Sequence, residues 1–125
     1  MQKFTLPLSV GGVTVGGAIG STVLADGVSV RIATGVAPSE LVLNMNDDNS
    51  RATLCAGVDV YRFRGGLAFF SDGEALCVLS GNCIVRTGGE ELTLAAGEAL
   101  TALKGKIGLE AATPTTVVRV SEEGR

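Results

Sequence analysis

Turn-forming residues punctuate this chain at short intervals, and no stretch between them carries the pattern of a helix. Gly11-Gly12, Gly16-Gly17, Asp26-Gly27, Asn46-Asp47-Asp48-Asn49, Gly65-Gly66, Asp72-Gly73, Gly88-Gly89 and Thr113-Pro114 are the punctuation. Glycine accepts positive φ, and Asn or Asp side chains bond their own backbone, so these residues reverse a chain cheaply. Between them apolar residues recur at every second position. Val28, Val30 and Ile32 alternate with Ser29 and Arg31, Leu41, Leu43 and Met45 with Glu40 and Asn44, and Leu92 and Leu94 flank Thr93. Period two is the signature of half-buried strands. The one alanine-rich piece, Leu94 to Leu100, is interrupted by Gly97. The expectation is an all-β domain of roughly ten short strands, a sandwich or barrel with little or no helix.

With 125 residues and 46% hydrophobic content, the chain makes one domain with a core that needs no disulfide staples. Its organisation reads as a glycine-rich N-terminal hairpin or assembly arm over residues 1–24, a β domain over 25–120 and an exposed tail over 121–125. The net charge is −3 and the cations are scattered, which argues against nucleic acid as a partner. No apolar run is long enough for a signal peptide or a spanning helix, so the expected location is the cytoplasm or a virion, with no membrane contact. Mean hydropathy is +0.39 although the chain has no Trp and few aromatics. That apolar excess points to a surface covered by a second copy.

Histidine is absent from the whole sequence. Three cysteines, Cys55, Cys77 and Cys83, have no paired short spacing, so a zinc site would need carboxylates or another chain. They read as buried thiols acting as small hydrophobes, the open alternative being a Cys77–Cys83 bridge across the turn at Ser80-Gly81-Asn82. The glycine pairs of residues 9–20 lack the lysine of a phosphate-binding loop. Asp47 and Asp48 form a polar turn rather than a calcium loop, and Glu90-Glu91 and Glu122-Glu123 read as solvated charge.

Two stretches have a more specific spacing. Glu74 is followed after six residues by Gly81, and Gly97 is followed by Leu103, Gly105 and Gly108. This resembles the two motifs of the cupin family, with a hairpin from Cys83 to Gly97 between them. The resemblance implies a jelly-roll barrel. It also locates the missing metal site: Leu67-Ala68-Phe69-Phe70 stands where the family has its His-x-His pair, and Gly108 stands at the later histidine. The resemblance therefore implies no metal, no cofactor and no catalytic residue. Leu43-Asn44-Met45 and the closing hairpin are also similar to the HutD/Ves-type cupins, which implies a small ligand at the barrel mouth near Tyr61, Phe69, Asp72 and Glu74. Two functions are expected from these readings. One is a non-enzymatic module that assembles with itself, and with other assembly proteins, as in a phage virion; the other is a metal-free cupin that binds a small molecule. The expected core comprises Leu67, Phe69, Ala75, Cys77, Leu79, Ile84, Leu92, Leu94, Leu100 and Leu103.

Overall fold

A computed structural model describes residues 2–10, 12–16, 22–25, 28–33, 42–44, 49–55 and 57–121, with side chains for 2–10, 12–16, 49–54, 57–70 and 75–121. Every regular element among them is a strand: β1 (Lys3–Thr5), β2 (Leu8–Val10), β3 (Val13–Val15), β4 (Thr22–Ala25), β5 (Val28–Ala33), β6 (Val42–Asn44), β7 (Ser50–Cys55), β8 (Val58–Ser80), β9 (Asn82–Thr87), β10 (Glu90–Ala95) and β11 (Glu98–Val120). The expected all-β architecture is present.

Two strands of 23 residues organise the barrel. The first part of β8, Val58 to Phe63, pairs with Val120 to Thr115 of β11, and the last part, Ala75 to Ser80, flanks that same stretch from its other side. A strand can border both sides of one segment only by folding round. Between these ends, Gly65 to Asp72 pairs with Ala111 to Lys104. Gly65-Gly66, Asp72-Gly73 and Thr113-Pro114, expected as turns, therefore lie inside long strands that cross from one layer to another. The pairing of β11 with β8 shifts register on both sides of Leu103 and between Ala111 and Thr115, and such irregularities bend a strand.

The result is a jelly-roll barrel of two layers. An inner sheet holds β7, the two ends of β8, the two ends of β11 and β1. An outer sheet holds β10, β9 and the middle parts of β11 and β8. The hairpin turns at Ser80-Gly81-Asn82 and Gly88-Gly89 fall where the sequence puts them. β2 to β6 form a further five-stranded sheet in which β5 and β6 run parallel.

The inner sheet is buried on both faces. Tyr61, Phe63, Leu76, Val78, Leu100 and Val117 face the outer sheet, where Val85, Leu94, Ile107 and Leu109 complete one cluster. Val58, Val60, Ala75, Cys77, Ala99, Val118 and Val120 face the other way and pack on Val13 and Val15. Both valines are fully buried, at 0% exposure. Within residues 1–24, expected as a glycine-rich hairpin or an assembly arm, β2 and β3 form a hairpin that closes a core of its own chain.

This double burial explains how the expected core differs from the observed one. Nine of its ten members pack into the two clusters, but on opposite faces of the inner sheet: Ala75, Cys77 and Leu79 in one, Leu67, Phe69, Leu92, Leu94, Leu100 and Leu103 in the other. Ile84 is a correction of one residue. Its neighbours Cys83 and Val85 point inward, which turns Ile84 to the outer face. Cys77 and Cys83 are free thiols in different clusters, so the alternative of a bridge between them gives way to the buried-thiol reading. Asp47 and Asp48, Glu122 and Glu123 and the side chain of Cys55 lie outside the described residues.

Candidate functional site

The glycines of the two motifs build one junction. Gly81 sits at φ 79° between β8 and β9, and Gly97 at φ 88° between β10 and β11. The two turns are tied by backbone bonds: Ala96 N–H donates to the Gly81 carbonyl at 3.0 Å and Gly97 N–H to the Val78 carbonyl at 2.9 Å. The Gly97 carbonyl in turn accepts from Leu6 N–H at 2.8 Å, which anchors the start of the chain. The motif spacing legible in the sequence is thus the spacing of a structural knot.

The positions matched to the family's histidines carry apolar residues and a glycine. Leu67 and Phe69 pack against the interior cluster, whereas Ala68 is exposed and Phe70 is 75% exposed on the outer face. Gly108 lies between inward-facing Ile107 and Leu109, so its backbone position belongs to the outer face as well. Among the described residues, no three His, Cys, Asp or Glu side chains come together as a metal cluster.

The four candidate ligand residues are placed unequally. Tyr61 and Phe69 belong to one core cluster, Tyr61 buried and Phe69 partly buried against it. Each ring is covered by a guanidinium: Arg51 lies 5.4 Å from the Tyr61 ring centre and Arg119 lies 4.2 Å from that of Phe69. Such contacts are favourable because the ring face is the negative end of its quadrupole. Arg119 also donates to the Phe70 carbonyl at 2.8 Å. Asp72 and Glu74 are paired through the backbone with Lys104 and Leu103, and their side chains lie outside the described residues.

Beside Tyr61 a groove of about 350 Å³ opens between β7 and the bend of β8, lined by Ser50, Arg51, Tyr61, Arg62, Phe63 and Leu67 among others. Two arginines mark it, and neither has a sequence signal that separates it from other surface cations. Arg51 pairs with Asp59 at 3.6 Å, and Asp59 accepts from Thr53 Oγ1 at 2.6 Å. Arg62 donates to the buried Thr116 hydroxyl at 3.1 Å through Nη1, while its buried Nε has no partner among the described residues. A second groove, of about 400 Å³, lies on the outer sheet around Arg86, Gly88, Lys106 and Gly108. There Arg86 bonds both Glu110 and Glu91, the latter at 2.8 Å, and these bonds raise the guanidinium pKa still further.

The two thiols are inert by environment. Burial pushes Cys77 up to about 12 and Cys83 up to about 11, so the nucleophilic thiolate is scarce at neutral pH. Glu98 is held below the usual carboxylate range because it accepts from Ala95 N–H and lies 3.5 Å from Lys3. That bond fastens the β10–β11 turn.

No protein-family model matches the chain, and no curated protein matches it in sequence. Solved structures do match. A cupin-2 domain protein from Shewanella frigidimarina superposes with a TM-score of 0.52 at 17% identity, covering 65% of this chain and 85% of that one. A Salmonella typhimurium protein named ethanolamine utilization protein Q gives 0.47 at 20% identity over 54% of this chain, which spans 58% of that protein's length. A salicylate 1,2-dioxygenase from Pseudoaminobacter salicylatoxidans gives 0.46 at 21% identity, covering 52% of this chain and 20% of that one. The Shewanella superposition and the all-strand topology agree: the chain has the cupin jelly-roll fold.

Proposed function

We propose that this cupin-fold chain is a non-enzymatic interaction module that assembles with copies of itself, as a homo-oligomer or as part of a larger structure such as a virion. One observation carries the reading: the space between the two layers of the barrel is filled by the chain's own apolar side chains. Leu76, Val78, Leu100, Ile107 and Val117 are each at most 1% exposed there, and Leu67 and Phe69 replace the donors that a metal would need. A site that converts a substrate needs an accessible pocket in which a few polar groups, such as a base, a nucleophile or a metal, converge. What this fold leaves accessible instead is an outer sheet face with an exposed aromatic ring. Sedimentation velocity over a wide concentration range is the test. Reversible self-association supports the reading, and a monomer at every concentration removes it.

A second reading is favoured by the buried Nε of Arg62, which has no partner among the described residues. A buried donor without an acceptor costs about 1–3 kcal/mol, and a turn of the Arg62 side chain toward the groove it lines beside Tyr61 and Phe63 would let a small anion supply one. In this reading the chain is a metal-free cupin whose ligand sits at the mouth rather than in the filled interior. A thermal-shift screen against small carboxylates, repeated on Arg62→Met, tests it; a rise in Tm that survives the substitution counts against it.

A further inference from the structure

On the outer sheet, the register sets an exposed aromatic ring beside a floor of glycines. Phe70 is 75% exposed and is the partner of Lys106 across β8 and β11. Ala68, two residues along, is the partner of Gly108, and Gly108 is in turn the partner of Arg86 on β9. Beyond them the β9–β10 turn exposes Gly88 and Gly89. Glycines therefore floor the outer groove of about 400 Å³, Lys106 lines it, and Phe70 is the next residue across the sheet. The backbone beneath that ring is anchored. The Phe70 carbonyl accepts from Arg119 at 2.8 Å, and the Arg119 guanidinium is stacked on the inward ring of Phe69. Phe70 is thus a platform held in a defined place.

The polar groups around the floor are paired with one another. Arg86 donates from Nε to Glu91 at 2.8 Å and from Nη1 to Glu110, in each case to Oε2. All three side chains are nevertheless at least half exposed. The second oxygen of each carboxylate has no hydrogen bond among the described residues, and Lys106 has no ion pair among them. Donors and acceptors therefore stand side by side, with their rotamers fixed by the ion pairs. Their charges nearly cancel: Arg86 and Lys106 stand against Glu90, Glu91 and Glu110. Such a surface has little field with which to draw in an anion or a cation. It suits an uncharged ligand whose groups both donate and accept, because hydrogen bonds to ionised partners are the strong ones. A sugar hydroxyl is a group of that kind.

We propose that this groove and the Phe70 ring beside it bind an uncharged, β-1,4-linked chain of equatorially substituted pyranose rings. The face of such a ring is a flat patch of C–H groups, which meets the negative face of Phe70. Its hydroxyls project from the ring edge, toward Lys106, Glu91 and Glu110. The β-1,4 linkage keeps the chain straight, and a straight ribbon lies flat across a sheet. From β8 to β9 is two strand spacings, about 10 Å. That is room for one ring on Phe70 and the next over Gly108, with a third reaching Gly88 and Gly89. A Cβ on Gly88 or Gly89 meets no atom within 4 Å, and one on Gly108 meets only the Arg86 carbonyl oxygen at 3.9 Å, so the floor is open. The proposal goes beyond the assembly reading: it concerns a ligand rather than another copy, and it is tested without reference to the state of association.

Titration of the isotopically labelled full chain with cellotetraose and with chitotetraose, followed by backbone amide chemical shifts, tests it. The two probes share the linkage and differ at the 2-position, so they distinguish a hydroxyl from an acetamide there. Maltotetraose, whose α-1,4 linkage curls the chain, is the comparison. Saturable shifts at Phe70, Lys106, Gly88, Gly89 and Gly108 are expected with at least one β-linked probe, and binding of maltotetraose about tenfold weaker, the loss of one stacked ring. Phe70→Ala weakens binding about tenfold as well, whereas Phe70→Trp retains it. Gly108→Leu raises a side chain through the floor and abolishes it. The remaining amide signals of each variant establish that it is folded. Absence of shifts with both β-linked probes at millimolar concentration overturns the proposal. Shifts that persist in Phe70→Ala and Gly108→Leu put binding elsewhere and overturn it too, and equal binding of maltotetraose rejects the flat ribbon as the ligand.

Discussion

Replacing Gly81 by alanine measures how tightly the junction of the two turns is built. At φ 79°, a Cβ on Gly81 would lie 2.5 Å from Thr115 Oγ1, 2.8 Å from the Pro114 carbonyl oxygen and 3.0 Å from Thr115 Cα. Two of these three atoms belong to the backbone and cannot swing aside. The left-handed conformation alone costs an alanine about 1–2 kcal/mol. Thr115 is fully buried, with its hydroxyl 2.9 Å from the Asn82 carbonyl oxygen and 3.0 Å from that of Thr113. Displacing it leaves buried polar groups unpaired, at about 1–3 kcal/mol. The expected loss is therefore about 2–5 kcal/mol. Gly97→Ala separates the contributions: its φ is 88°, but an added Cβ meets nothing within 4 Å. Only the conformational cost of about 1–2 kcal/mol applies there. Urea unfolding followed by far-UV circular dichroism compares the two, and an unchanged m-value ensures that the difference reports stability. Equal losses in the two variants would refute the argument, because they would mean that Thr115 and Pro114 yield without cost.

Val15→Ala should lose about 1–3 kcal/mol in the same assay, since a fully buried side chain leaves a cavity; a loss near zero means that β3 does not seal the inner sheet. Deleting residues 1–20 uncovers Val58, Val60, Cys77 and Val118 and should abolish cooperative melting even in a monomer, so an unchanged Tm contradicts the packing described. The thiols predict an alkaline limit. Because Cys77 and Cys83 titrate in the folded chain near 12 and 11 against an ordinary 9.0, their contribution is complete below pH 9.0 and is lost as pH rises through those values. Stability measured above pH 9.0 should fall, and less steeply in Cys77→Ala; equal slopes dismiss the thiol as the cause. Elemental analysis of the purified chain should find no stoichiometric transition metal, and about one ion per chain that survives dialysis counts against the reading of Leu67 to Phe70.

Sequence alone determined the class of structure and that no histidine is available to it. Period two and the glycine turns specify strands because they act within a few residues, and so the turns at Ser80-Gly81-Asn82 and Gly88-Gly89 were legible. The spacing from Glu74 to Gly81 and from Gly97 to Gly105 was legible for the same reason, as was the lack of histidine. Tertiary structure decided which turn signals were turns. Gly65-Gly66, Asp72-Gly73 and Thr113-Pro114 have the same composition as true reversals, yet Gly65, Gly66 and Asp72 pair with Ala111, Glu110 and Lys104 across the barrel, and Thr113-Pro114 falls at the register irregularity between Ala111 and Thr115. Parity along a strand likewise records two faces without saying what covers either. For Ala75 to Leu79 both faces are buried, because β3 brings Val13 and Val15 to one and the outer sheet covers the other. The groove beside Tyr61 is a product of strand register. Register is set by which strands find each other in space, and that is a non-local choice that no window of sequence contains.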